Sequence, residues 1–170
     1  MKGKQKTVRD MILSLALIGL MAGVIYLFIP HDDRAPDLKR VDYRVELLGA
    51  RRAAAYPVAA PEGLPDTWKA TSVRFQAEPS GVWHLGFQDP EGQYVAVEQS
   101  TQRASAFIDE VTQGAEQTKV TQDIGGQKWQ RYTGGRYDAL VLKDKGSTTV
   151  VAGTARFAQL TKMAEALRTA

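Results

Sequence analysis

At 170 residues, with 44% apolar side chains and a formal net charge of +3, the chain is long enough for one modest domain with its own core plus appendages. It has no cysteine, which excludes disulfides, thiolate metal sites, a cysteine nucleophile and a lipid-modified cysteine; it has no asparagine either, hence no N-glycosylation acceptor. The positive charge is local to the first ten residues, and from residue 30 onward eighteen Lys plus Arg face eighteen Asp plus Glu, a neutral body without the concentrated basic surface that nucleic acid binding requires.

Residues 1–10 form a basic tail with Lys2, Lys4, Lys6 and Arg9, and residues 11–29, MILSLALIGLMAGVIYLFI, carry no charge. As a helix rising about 1.5 Å per residue, this stretch spans roughly the hydrocarbon core of a bilayer, so a single transmembrane helix is expected. A cleaved secretion signal begins in the same way. Against it, the stretch is long for a signal core, and apolar residues continue through VIYLFI beyond the small pair Ala22-Gly23. The segment after the span, PHDDRAPD, offers Arg34 as its one basic residue, so the tail is expected to stay in the cytoplasm and the rest of the chain to lie outside the cell membrane. Lys39, Arg40 and Arg44 dilute that bias. Gly19 and Gly23 have the spacing of a small-residue helix contact, which the lipid-exposed alternative explains equally.

Residues 30–40 read as a polar linker, and the domain is expected over residues 41–170. Val41, Val45, Leu48 and Ala55 recur at near-helical spacing and predict a helix, with Gly49 weakening its middle. Pro57, Pro61 and Pro65 then forbid regular helix and central strand, which predicts an extended loop; their spacing of four does not suit a proline-motif ligand. WKATSVRFQ, VWHLGFQ and QYVAVEQS alternate as half-buried strands, the last two joined by the turn DPEG. Trp83, Leu85 and Phe87 share one face, and His84 points away from it. Ser100 or Thr101 is expected to cap a helix carrying Ala104, Phe107, Ile108 and Val111, with Gly114 ending it.

A similar series follows. KWQRYT, DALVLKD and TTVVAGT read as strands, a short strand near TKVTQDI joins them, and a helix after the cap Thr154 carries Phe157, Leu160, Met163, Ala164 and Leu167. Three strands then a helix, twice, predicts an α+β fold: an antiparallel sheet with helices packed on it, built from two β-β-β-α units. The pairs Gly125-Gly126 and Gly134-Gly135 each lead into a strand-like segment rather than a helix, so they are read as hairpin turns and not as a phosphate-binding loop.

Reactive chemistry is sparse. The two histidines, His31 in the linker and His84 on a strand, do not supply the donors of a metal site, and no serine, histidine and acid set is apparent in the order of residues. Asp109 and Glu110 diverge as helix neighbours and read as a solvated face. The expectation is therefore no enzyme, no cofactor and no metal. The stretch WQRYTGGRY, through Trp129, Arg131, Tyr132, Arg136 and Tyr137, offers the aromatic and basic content of a ligand-binding surface.

The strings YPVAAPEGLPDTWKATSVRF, WHLGFQDPEGQYVAVEQS, GGQKW and TTVVAGTA with its following helix, in this order and spacing, resemble actinobacterial single-pass membrane proteins of the uncharacterised DUF4245 type. The resemblance covers nearly the whole chain, anchor included. It implies an N-terminal anchor and an outward α+β domain, with no family catalytic residues to transfer. A second, short likeness runs from the proline loop and GSTTVVAGTARFAQLTKMAEAL to extracytoplasmic domains of membrane regulators. The functional expectation is a membrane-anchored domain that binds a protein or a cell-envelope component. The alternatives are an envelope saccharide-binding module and, behind it, an envelope hydrolase.

Overall fold

A computed structural model describes residues 4–28, 39–144 and 146–169, and the chain divides into two compact units, 1–37 and 38–170. Among the described residues, the first contains one helix, α1 (Lys4–Phe28). Its segment Val8–Tyr26, with a mean hydropathy of 1.9 over 19 residues, is long and apolar enough to cross a membrane. Its described large apolar side chains, among them Val8, Ile12, Leu15, Leu20, Ile25 and Phe28, are exposed rather than packed on other residues. The helix extends beyond the uncharged stretch through Arg9 and Asp10, because nothing in that junction breaks helical geometry. Residues 1–3 of the tail, Ile29, and residues 30–38 of the linker with His31 lie outside the described residues.

The second unit is α+β, as expected. After α2 (Arg44–Ala53) and β1 (Ala59–Pro61) come β2 (Lys69–Gln76), β3 (Val82–Gln88), β4 (Tyr94–Ser100), α3 (Ala104–Thr112), β5 (Glu116–Ile124), β6 (Gln127–Thr133), β7 (Asp138–Asp144), β8 (Ser147–Gly153), α4 (Phe157–Ala166) and β9 (Leu167–Thr169). β2 to β8 form one antiparallel sheet in the order β2-β3-β4-β8-β7-β6-β5, and β1 pairs with β9 beside it.

Alternation along the strands gives the sheet two faces of different chemistry. The inner face collects Trp83, Leu85, Phe87, Val95, Val97, Trp129, Leu140 and Val151 under α4's Leu160 and Met163, with Val58 and Ala60 of the proline-rich segment and Ala50 of α2 completing the core. The outer face carries a smaller cluster in which Phe107 and Ile108 of α3 cover Ala139, Val141, Val150 and Ala152. Here α3 packs mainly on β7 and β8 and reaches the outer half formed by β2, β3 and β4 only at its border, where Val82 meets the cluster. Strands then a helix do occur twice, but with three strands (β2 to β4) before α3 and four (β5 to β8) before α4, and α3 and α4 settle on opposite faces.

Three local expectations change. The first helix of the domain is shorter than its apolar spacing suggested, leaving Val41 and Ala55 outside it, and Val45 and Leu48 are exposed while Leu47, Ala50 and Ala54 pack inward. The side chains expected to cap α3 and α4 do other work, since those helices start at Arg103 and Arg156 without a side-chain cap bond. Ser100 Oγ instead accepts from the Gln102 amide and donates to the Ser80 carbonyl, and Thr154 Oγ1 accepts from the Tyr94 amide at 3.0 Å. Finally, both glycines of the β5–β6 turn have positive φ, 62° and 79°, as the hairpin reading requires, but of the second pair only Gly134 does. Gly135 is there for closeness: a Cβ on it would strike the backbone of Gly114 and Ala115.

A polar trough on the open sheet face

The residues of the uncovered half-face are placed by two antiparallel ladders. Register sets Arg74 opposite His84 and His84 opposite Glu98, a polar row across three strands; the next row is Ser72, Gly86 and Ala96, whose last two members are small. Beyond it Tyr94 leans over Gly86, so that a Cβ at Gly86 would collide with the Ser72 hydroxyl and crowd the tyrosine ring. α3 closes one end with Glu110 and Val111, together with Gln113 just past its end, and Tyr137 stands beside Tyr94 at 5.7 Å between ring centres, tilted by 50°. The result is a cavity of about 270 Å³ walled by Arg74, His84 and Glu98 on one side and two tyrosines on the other.

Hydrogen bonds fix the polar wall. His84 Nδ1 lies 2.6 Å from Glu98 Oε1 and His84 Nε2 lies 2.8 Å from Ser72 Oγ. With an ionised Glu98 accepting from Nδ1–H, a neutral imidazole has its Nε2 lone pair free to accept the serine hydroxyl proton. The two charged-type side chains are only 15% and 13% exposed, so this chain holds them in one orientation at the cavity edge.

The connectivity matches that of a nucleophilic triad, and the position does not. Ser72 reaches His84 from the edge strand β2 and is absent from the cavity lining, and it sits on a strand beside a register irregularity rather than at a strand-to-helix turn. The arrangement suits positioning of His84 and Glu98 better than attack by Ser72.

Burial pushes the Tyr94 hydroxyl up to about 12, with Glu98 and Tyr137 adding to the effect and Arg74 opposing it. Tyr94 is thus a neutral donor throughout the physiological range. Because its folded value is above its unfolded value, its contribution is fully present below about pH 10 and is lost as pH rises towards about 12. Urea titrations between those limits should show stability falling with pH, and Tyr94→Phe should make the fall shallower. An identical slope in the variant would remove Tyr94 as its source.

The residues singled out in WQRYTGGRY are distributed over both faces. Trp129 is 2% exposed in the inner core and borders a second cavity of about 240 Å³ with Gln99 and Thr149. Arg131, on the same face, stacks its guanidinium 4.4 Å above the Phe157 ring and donates to Gln122 Oε1, so it is tied into the fold rather than free on the surface. Tyr132 is buried on the outer face and donates to Gln117 Oε1. Arg136 lies 5.5 Å from the ring of Tyr137, and Tyr137 is the member of the set that lines the trough.

Arg74, Tyr94 and Glu98 were not singled out in the sequence, and His84 was weighed there only as a metal ligand, although part of the site was within reach. The turn at Asp89 to Gly92 sets Gln88 against Tyr94, and counting four residues along each strand brings His84 against Glu98. Ser72 lies in the regular stretch of the β2–β3 ladder that runs from Gln76 opposite Val82 to Ser72 opposite Gly86, but the longer connection between those strands has no two-residue turn signature from which to count.

A family model described as "Protein of unknown function (DUF4245)" matches residues 4–167, which include α1 and every strand of the large sheet. No curated protein matches the chain.

Proposed function

The chain belongs to the DUF4245 family, and from that premise we propose a membrane-anchored, extracytoplasmic domain that binds a cell-envelope component in the trough. In this reading the tail is cytoplasmic, α1 spans the cell membrane once, and residues 41–170 face the envelope, following the basic tail and uncharged span. The activity is binding rather than catalysis. One observation carries it: an uncovered sheet face holds a cavity whose polar wall is fixed by the Ser72, His84 and Glu98 hydrogen bonds.

A saccharide is the envelope component this wall favours. Arg74 offers donors, Glu98 an acceptor, the tyrosine hydroxyls both, and hydroxyl-rich rings need donors and acceptors together. The paired rings of Tyr94 and Tyr137 supply an apolar flank. Titration calorimetry of soluble envelope polysaccharide into the full-length protein in detergent tests this. Glu98→Gln with Tyr137→Ala should weaken binding at least tenfold, about 1.4 kcal/mol, while the melting temperature stays within a few degrees. Binding unchanged in the double variant would place the ligand elsewhere.

A further inference from the structure

Among the described residues, the large hydrophobic side chains exposed outside α1 are Val45, Leu48 and Val120. Two of these three stand on one helix. Val45, at 75% exposure, and Leu48, at 55%, are three residues apart and so share a face of α2. Helical rotation brings Arg52 between them, one turn on from Leu48, and sets Arg44 at the border of the same face. The one acid of the helix, Glu46, lies to the side, and the opposite face packs inward through Leu47 and Ala50. The outward face is therefore aliphatic and cationic, a pattern that suits the boundary between anionic headgroups and acyl chains.

Chain connectivity selects the occupant. Residues 27–43 join the apolar span ending at Tyr26 to the start of α2, and even fully extended they reach no more than about 60 Å. Tethering at that range gives α2 a high effective concentration of lipid, so a face with two aliphatic side chains and two arginines suffices where it would fail in a free protein.

We propose that the outward face of α2, formed by Val45, Leu48, Arg44 and Arg52, docks on the anionic lipid surface of the membrane that carries α1. The inference rests on the anchor reading and is independent of the trough.

The absence of cysteine makes a single label possible. Gly49 is exposed, has open space at its Cβ position, and leaves both aliphatic side chains intact, so Gly49→Cys can carry an environment-sensitive fluorophore. The full-length labelled protein is reconstituted in vesicles of phosphatidylcholine with phosphatidylglycerol, and in phosphatidylcholine alone, with headgroup-region spin-labelled lipid as quencher. Docking predicts blue-shifted emission and quenching several times stronger in the anionic vesicles than for the same label at Val120→Cys. It also predicts loss of that difference in Val45→Asp with Leu48→Asp, and a marked reduction in Arg44→Gln with Arg52→Gln. A protein that floats with the vesicles while its Gly49 label stays as water-exposed as the Val120 label overturns the docking and leaves the anchor standing. A protein that does not float overturns both. Protection that requires native membrane proteins, and is absent from the pure lipid vesicles, assigns the face to a protein and also overturns the proposal.

Discussion

Leu160→Asp is expected to abolish the cooperative melting of the domain. Leu160 has no solvent exposure and sits at the centre of α4 against the inner sheet face, so the change removes buried apolar contacts and sinks a carboxylate among Leu140, Val151 and Met163. A buried leucine lost to alanine already costs about 2–5 kcal/mol, and an unpaired buried charge adds several more, which together approach the whole stability of a domain at about 5–15 kcal/mol. Near-ultraviolet circular dichroism on heating provides the check. A soluble variant that melts cooperatively within a few degrees of the parent would mean that α4 packs by another face.

The second large effect is expected from a smaller change, Gly153→Ala. Gly153 ends β8 opposite Val95, and a Cβ there would overlap the Tyr94 carbonyl oxygen and press on the Val95 backbone. Backbone cannot swing aside as a side chain tip can, so β4 must separate from β8 at the centre of the sheet. A loss of about 3 kcal/mol or more follows from this overpacking, read as a lower urea midpoint. The same movement displaces Tyr94, whose amide and carbonyl are both bonded to Thr154. Ligand affinity should therefore fall with stability in this variant, whereas the trough variants Glu98→Gln and Tyr137→Ala should lower affinity alone. Gly153→Ala with an unchanged midpoint would show that the sheet relaxes there at little cost.

These two expectations separate what local sequence patterns encode from what they do not. α4 announced its inner face because Leu160, Met163 and Ala164 have polar neighbours at Gln159, Lys162 and Glu165, leaving one apolar stripe. α2 did not, because Val45, Leu47, Leu48 and Ala50 are apolar on both sides of a short helix, and periodicity fits either stripe. Tertiary packing chose Leu47 and Ala50. The strands were legible from alternation, but the central pairing of β4 with β8 joins residues about fifty positions apart, and no turn chemistry specifies it. The same distinction governs the site. His84 and Glu98 belong to one hairpin and follow from its turn, whereas Tyr137 reaches the trough from a loop across the sheet, and Ser72 comes from a neighbouring strand whose connection to β3 is too long to fix the pairing by turn chemistry.

The role of the trough is tested most directly in intact cells. A photo-crosslinking side chain placed at Gln102, which borders the cavity, samples whatever occupies it, and the same group at Glu165 samples the opposite side of the sheet beside the second cavity. The account predicts that illumination joins an envelope component to the Gln102 position, that Tyr137→Ala together with Glu98→Gln removes this product, and that Glu165 gives none of it. Crosslinks to cytoplasmic proteins from Gln102, or the same envelope product from Glu165 with Gln102 silent, would contradict it.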